Sequence, residues 1–355
     1  MKIIVFVDNL HNGGGGRVAS ILSNALSEEH EVSCVTKESG IRYPIRDCVR
    51  YYTLNNNFNF FKFEIMFRLV SYVRLIRKIR PDLIISLGYV SKYTTMAKIL
   101  IGHGHFKTID SERSDPSLVP SSKLMRWIRN CCYGKADALV CQTYRVEQYF
   151  REKVKMKLVV IPNPITPDLP YWDGINSFDI VAACRLDEQK NLPMLIDAFG
   201  QLHKVFPQYR LQIYGEGPLE HQLRKIISDR HLHNCVELKE FTTHLHEILS
   251  HSFMFVSSSD HEGLSNSMLE ALAIGIPTVC TDTPTGGASM FIKDKHNGIL
   301  TPVKDSTKFF YSMKYLIEHK EILPGISDCA IKIRNTLDVQ EIINVWIKTI
   351  NEICL

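Results

Sequence analysis

Short apolar runs alternate along this chain with longer stretches in which apolar residues recur every three or four positions. The first kind predicts buried strands and the second amphipathic helices. Ile3 to Val7 is such a run and predicts a first strand, followed by the loop DNLHNGGGG. A helix is then expected over 17 to about 27, with Val18, Ile21, Leu22, Ala25 and Leu26 on one face. Further strands are expected at 31–36, 82–87, 106–109, 138–140 and 158–161, with helices in the later part of 55–80, at 91–101 and at 121–133. Prolines at 162, 164, 167 and 170 then mark a linker. A second series follows: strand at 178–184, loop RLDEQKN, helix at 192–205, strand at 210–214, helix at 219–230, strand at 236–238. It closes with strands at 253–256 and 278–281 around one more helix, and the tail over 339–353 again has helical spacing. Two alternating series predict two α/β domains, each a parallel, doubly wound Rossmann-like sheet, at 1–165 and 172–338.

Composition narrows the class. A chain of 355 residues fits two domains, and 45% hydrophobic with 23% charged residues is ordinary for a folded protein. It holds no run of 18 apolar residues, so no spanning helix is expected, and MKIIVFVDNL reads as a strand rather than a signal peptide. The ten cysteines show no zinc spacing, and most are expected to be small core side chains, which suits a reducing cytoplasm. The net charge of +4 hides an asymmetry: residues 1–165 carry 25 Lys and Arg against 14 Asp and Glu, and the remainder 17 against 24. The first half is therefore expected to meet something anionic. The stretch 60–80 has an aromatic start and a basic flank, with Lys62, Arg68, Arg74, Arg77, Lys78 and Arg80 against Glu64. Both it and 121–133, with Trp127, suit either a solvated helix face or a membrane surface.

The chemistry concentrates at 253–275, FMFVSSSDHEGLSNSMLEALAIG. An apolar run enters a polar loop relaxed by Gly263, and Asn266 or Ser267 is placed to cap the following helix. Backbone N–H groups and the helix dipole converge there on a site for an anion. Glu262 and Glu270, eight positions apart, bracket it. A carboxylate repels phosphate but binds hydroxyls through charge-assisted hydrogen bonds. The arrangement suits a sugar, a phosphate and a second sugar: a sugar nucleotide. Arg185 and Lys190, in ACRLDEQKN, share one strand-end loop and can neutralise a diphosphate. Gly215 to Pro218 is a tight turn. The glycines at 13–16 allow close approach of backbone, but Val18 and Ala19 break the G-x-G-x-x-G pattern, which argues against a nicotinamide dehydrogenase.

EGLSNSMLEALAIGIPTVCTD resembles the donor-site signature of retaining glycosyltransferases of the GT-B fold, in the large family 4, group 1, that builds bacterial polysaccharides. ACRLDEQKN is similar to that family's Gly-Arg-Leu-…-Lys-Asn motif, with Cys184 where glycine is usual. The likeness covers nearly the whole chain and is most specific over 184–302. It implies a cleft between the domains, with the last helix, 339–355, crossing back to the first domain. It implies that Glu270 holds ribose hydroxyls, Glu262 faces the transferred sugar, and Gly263, Leu264, Ser265 and Asn266 hold phosphate through backbone groups. Arg185 and Lys190 would stabilise the leaving diphosphate, Gly15 and Gly16 would face it from the first domain, and Gly215 and the Thr285–Ala288 bend would border the donor. Phe241 and Thr242 stand where the family holds the nucleobase. Many members place a histidine at about Arg113, near the reacting sugar. Arginine is no general base at neutral pH, so Arg113 is left to bind a sugar hydroxyl or an acceptor phosphate, or simply to pair with Glu112 or Asp115. His103 and His105 are expected at the surface.

The resemblance thus implies transfer of a hexose or N-acetylhexosamine, with retention, from a UDP-sugar to a polyprenyl-pyrophosphate-linked glycan. No Asp-x-Asp motif is present, so transfer is expected to need no metal or other cofactor. No nucleic-acid partner is expected. Attachment to the cytoplasmic face of the inner membrane through anionic lipid, released by salt, is expected from the basic first domain. An epimerase of the same architecture, or a non-catalytic sugar-nucleotide-binding partner of another transferase, are the alternatives. The first would need acid and base residues in the cleft, and the second is at odds with an intact set of Arg185, Lys190, Glu262 and Glu270.

Overall fold

Runs such as Ile3–Val7 are apolar at successive positions, and a strand of that kind is stable only when both faces are covered, as in a parallel sheet with helices on each side. The computed structural model describes residues 1–11, 13–54, 61–102 and 104–354, the side chains of 61–64 excepted. It divides into two compact units, Met1–Pro164 with Val339–Leu355, and Ile165–Asp338. Lys62, Glu64 and His103, named above, and the aromatic start of the stretch 60–80 at residues 60 and 61 lie outside the described residues or side chains.

In unit 1 the chain runs β1 (Lys2–Val7), α1 (Gly13–Leu26), β2 (Glu31–Thr36), β3 (Arg50–Thr53), α2 (Phe61–Ile79), β4 (Leu83–Leu87), α3 (Ser91–Ile101), β5 (Lys107–Glu112), α4 (Lys123–Tyr133), β6 (Ala138–Cys141), α5 (Tyr144–Arg151) and β7 (Lys157–Val160). The seven strands pair in parallel in the order β3-β2-β1-β4-β5-β6-β7. Ile4, Phe6, Ile84, Tyr72 and Tyr93 are buried together, with the rings of Phe6 and Tyr72 4.5 Å apart.

Unit 2 runs β8 (Asp179–Ala183), α6 (Leu192–Val205), β9 (Arg210–Tyr214), α7 (Glu220–Asp229), β10 (Val236–Lys239), α8 (Leu245–Ser250), β11 (Met254–Ser257), α9 (Asn266–Ile274), β12 (Thr278–Thr281), β13 (Ile299–Thr301), α10 (Ser306–Glu318), α11 (Leu323–Ala330) and α12 (Ile333–Thr336). Its six parallel strands stand in the order β10-β9-β8-β11-β12-β13. The order reverses direction beside β8, and ligands of such sheets bind outside the carboxyl ends of the strands at that point. The last helix, α13 (Val339–Cys354), belongs to unit 1 and buries Ile342, Ile343, Trp346, Thr349 and Ile350.

Several expectations need correction. The glycine run is not a loop before a helix: α1 already starts at Gly13. Gly16 packs inside that helix, where a Cβ would lie 2.5 Å from the Asn9 carbonyl oxygen. The cap of α9 is Ser265, whose Oγ accepts from the Met268 N–H, rather than Asn266 or Ser267, which are already helical. Of the ten cysteines only Cys34, Cys141, Cys235 and Cys280 are buried, and Cys48 and Cys131 are exposed. His105 is exposed, as expected.

Candidate active site

The carboxyl ends of β8, β9, β11 and β12 lie side by side in unit 2, and the loops leaving them are stitched together. After β8 a short 3-10 turn, Glu188–Lys190, ends at Asn191 in the left-handed region (φ 44°). Asn191 Nδ2 donates to Asp260 Oδ1 at 2.8 Å, Ser258 Oγ donates to the Lys190 carbonyl at 2.8 Å, and the Asp260 N–H donates to the Gln189 carbonyl at 2.9 Å. The loop after β11 is thus fastened along the loop after β8. On the other side sits the turn after β9. Gly215 has φ +148°, and a Cβ there would lie 1.8 Å from the Cys184 carbonyl oxygen. Only glycine lets the two loops close. The Thr285–Gly287 bend after β12 closes on the same loop, with Thr285 Oγ1 donating to the Gly263 carbonyl at 3.3 Å.

Within this frame Lys190 and Glu262 form an ion pair. Their side chains are 15% and 14% exposed. Gln189 Nε2 at 3.0 Å and Ser259 Oγ at 2.9 Å complete the shell around the Glu262 carboxylate. Burial works against the Lys190 charge, but Glu262 foremost, with Cys184 and Asp187, offsets it, and the lysine pKa is raised. Arg185, in contrast, is 70% exposed and pairs with Asp187 at 2.6 Å. The two cations of the loop therefore differ: one is a largely enclosed charge paired with Glu262 and the other an exposed fork paired with Asp187. Cys184 is no nucleophile, since burial raises its thiol to about 12.

Glu270 lies on the first turns of α9 and is buried. Thr166 Oγ1 donates to its Oε1 at 2.8 Å, and His246 Nε2 lies 3.0 Å from its Oε2. Both partners were absent from the sequence reading. His246 is on α8, an element too short to show periodicity, and Thr166 lies in the proline-rich stretch, where no signal marks it. Gln189 and Ser259 were missed too, although they neighbour Lys190 and Glu262 in sequence. α9 has no acidic residue in its first turn, so its positive end is unopposed by side chains there. Phe241, half exposed, and Thr242 follow β10, the edge strand; Thr242 Oγ1 accepts from the His244 N–H at 3.1 Å.

In unit 1, Arg113 follows β5 and lies beside α1: a Cβ on Gly15 would be 3.9 Å from its Cδ. Arg113 pairs with neither Glu112 nor Asp115. Its Nη1 donates to Asn163 Oδ1 at 2.7 Å, an oxygen that also accepts from Gln142 Nε2 at 2.7 Å. Glu112 is taken by Arg129 at 3.4 Å and by Ser114 Oγ at 2.7 Å, while Asp115 Oδ1 accepts from Ser117. Burial lowers the Arg113 pKa to about 10, and its Nε has no hydrogen-bond partner. Among the described residues no cluster of three or more His, Cys, Asp or Glu is placed to hold a metal ion.

Sequence profiles of two families match this chain: Glycosyltransferase Family 4 over residues 12–169, and Glycosyl transferases group 1 over residues 177–319. The chain belongs to the family 4, group 1 glycosyltransferases. It is 26% identical over 343 residues to the amylovoran biosynthesis glycosyltransferase AmsD of Erwinia amylovora, covering 93% of each chain. It is 24% identical over 365 residues, 99% of each chain, to a Campylobacter jejuni α-1,4-N-acetylgalactosaminyltransferase named for a diphospho-undecaprenol-linked substrate. Among solved structures, Anabaena HepE in complex with UDP and glucose superposes with a TM-score of 0.84 at 17% identity, over 99% of this chain and 100% of that one. The sucrose-phosphate synthase of Thermosynechococcus elongatus gives a TM-score of 0.86 at 15% identity, over 99% and 98%. The fold of this glycosyltransferase is GT-B.

Proposed function

We propose that this glycosyltransferase moves a hexose or N-acetylhexosamine, with retention, from a UDP-sugar to a polyprenyl-diphosphate-linked glycan in the synthesis of a surface polysaccharide. The observation that carries the donor half is the row of strand ends in unit 2, with Lys190 and Glu262 paired at one position and Glu270 buried eight residues on. HepE with bound UDP and glucose supports UDP as the carrier. The names of the amylovoran and diphospho-undecaprenol relatives support the acceptor class.

In this reading Glu270 binds the ribose hydroxyls, and backbone groups of residues 263–266 with the positive end of α9 receive the diphosphate. Phe241 and Thr242 border the base, and Gly215 keeps the two loops close enough to form the site. Lys190 and Arg185 carry the charge that collects on the diphosphate as it leaves. The bond from the anomeric carbon to the β-phosphate oxygen breaks. The acceptor hydroxyl bonds the same carbon from the same face, and its proton passes to the departing phosphate oxygen. Glu262 exchanges part of its hold on Lys190 for hydroxyls of the transferred sugar. Gly15 and Gly16 allow close approach of backbone in unit 1, and Arg113 holds a sugar hydroxyl or an acceptor phosphate there. The two cations do the work a metal would do, so transfer needs none. Unit 1, with 26 Lys and Arg against 16 Asp and Glu, attaches to anionic lipid on the cytoplasmic face. No helix of the described residues is long and apolar enough to cross a membrane.

The test is incubation with a panel of UDP-sugars, with and without a polyprenyl-diphosphate-linked acceptor, read by UDP release and by the anomeric configuration of the product. Acceptor-dependent release with an α-linked product from an α-linked donor is expected. Inversion, an epimerised donor, or no turnover with any UDP-sugar would refute the reading.

A further inference from the structure

A carboxylate that holds two hydroxyls at once must present both oxygens in one fixed plane. The last torsion of a glutamate does not fix that plane, because rotation about an sp³–sp² bond meets only a broad, two-fold well. Glu270 is buried, and each of its oxygens has a donor from another element. Thr166 Oγ1 donates to Oε1 at 2.8 Å from 104 positions before it, and His246 Nε2 meets Oε2 at 3.0 Å from 24 positions before it. An ionised carboxylate only accepts, so the His246 ring carries its proton on Nε2.

Both donors are anchored. The Ile165 N–H, one residue before Thr166, donates to the Leu337 carbonyl at 3.0 Å, which ties the first residue of unit 2 to its end. His246 stands in the first turn of α8, three and four positions before the buried Leu249 and Ser250, and so shares their packed face. A donor on each oxygen, each held by its own element, removes the rotation that the glutamate side chain would otherwise keep.

We infer that Thr166 and His246 are positioning residues for the ribose. They hold the Glu270 carboxylate in the plane from which it accepts from the 2′- and 3′-hydroxyls, and so set the preference for ribonucleotide over deoxyribonucleotide donors. The inference rests on the assignment of Glu270 to ribose proposed above. An ionised carboxylate offers about four acceptor positions, so one protein donor on each oxygen is compatible with two hydroxyls.

The test measures the affinities of the whole chain for UDP and for 2′,3′-dideoxy-UDP by calorimetry, and their ratio is the readout. Thr166→Val keeps the shape of the side chain and loses its hydroxyl, whereas Thr166→Ser keeps the hydroxyl. His246→Phe keeps a ring without a donor, whereas His246→Gln brings an amide nitrogen near the place of Nε2. Thr166→Val and His246→Phe should each lower the ratio roughly 3- to 10-fold through weaker UDP binding, and the Ser and Gln variants should restore most of it. The double variant Thr166→Val, His246→Phe should approach Glu270→Ala. If either change unfolds the chain, Thr166→Ala and His246→Asn, the latter with a donor too short to reach, give the same comparison. A wild-type ratio in the variants without a donor, with only Tm lowered, would mean that the two groups merely satisfy a buried charge; if Glu270→Ala still abolished the ratio, that result would overturn the inference and leave the ribose assignment standing. A ratio that Glu270→Ala leaves intact would overturn both.

Discussion

Replacing Glu262 by Gln removes the counter-charge of Lys190 while keeping side-chain volume. The pair is 15% and 14% exposed, much nearer a buried pair than a surface one. Exposed pairs contribute about 0–1 kcal/mol, whereas removing one partner of a buried pair costs about 3–5 kcal/mol because a charge is left without its partner. Gln retains an oxygen for Lys190 and a site for Ser259, so the expected loss is about 2–4 kcal/mol. In a domain the size of unit 2 that lowers Tm by roughly 5–15 °C. A diphosphate would bring replacement negative charge to Lys190. UDP should therefore raise the Tm of the variant more than that of the wild type and bind it at least as tightly, while turnover falls on the order of 10- to 100-fold through the lost contact to the sugar. The assays are thermal unfolding with and without UDP, calorimetric UDP binding and UDP release. A variant with wild-type Tm and a wild-type response to UDP would refute the assignment of Lys190 to the diphosphate.

Glu270→Ala should weaken UDP binding by roughly 10- to 100-fold, and the variant should no longer distinguish UDP from its 2′,3′-dideoxy analogue; continued discrimination by calorimetry would remove Glu270 from the ribose. EDTA should leave turnover nearly unchanged, and loss of activity restored by magnesium or manganese would show a metal requirement. Asp110 is fully enclosed, and burial raises its carboxyl from 3.8 to about 7. The folded state thus binds more protons than the unfolded one between those values, and stability should fall as pH rises from about 4 to about 7. Asp110→Asn should flatten that part of a Tm-against-pH curve, by on the order of a few kcal/mol at its upper end; an unchanged slope would locate the titration elsewhere.

Long periodic segments were legible in the sequence. The helices at 91–101 and 192–205 and the strands at 210–214 and 278–281 fall where their apolar spacing puts them. Others were not: β3, RYYT, is a half-exposed edge strand with no apolar run, α8 and β13 have six and three residues, and α5 and α10 to α12 were not read from the sequence. The same limit shaped the site. Arg185 and Lys190 stand out as charges at the end of an apolar strand, and Glu262 and Glu270 by their spacing and the family signature around them. What each one touches was hidden. Lys190 meets a carboxylate 72 positions away, and Glu270 meets Thr166, 104 positions away. Arg113 looked ready to pair with an adjacent acid, yet Arg129 holds Glu112, because α4 packs beside the end of β5 and brings a second guanidinium there.

That α13 belongs to unit 1 has a consequence for the order in which the protein is made. Residues 1–164 leave the ribosome well before the helix that completes their core, and all of unit 2 is synthesised in between. At about 5–20 residues per second the interval is on the order of ten to forty seconds. During it, the surface that will cover Ile342, Trp346 and Ile350 stays open on the nascent chain. Unit 2, being one continuous segment, can finish folding first. A chaperone bound to the early half, and a half-life for translation arrest products that drops sharply when arrest falls before residue 339, are what this topology leads one to look for.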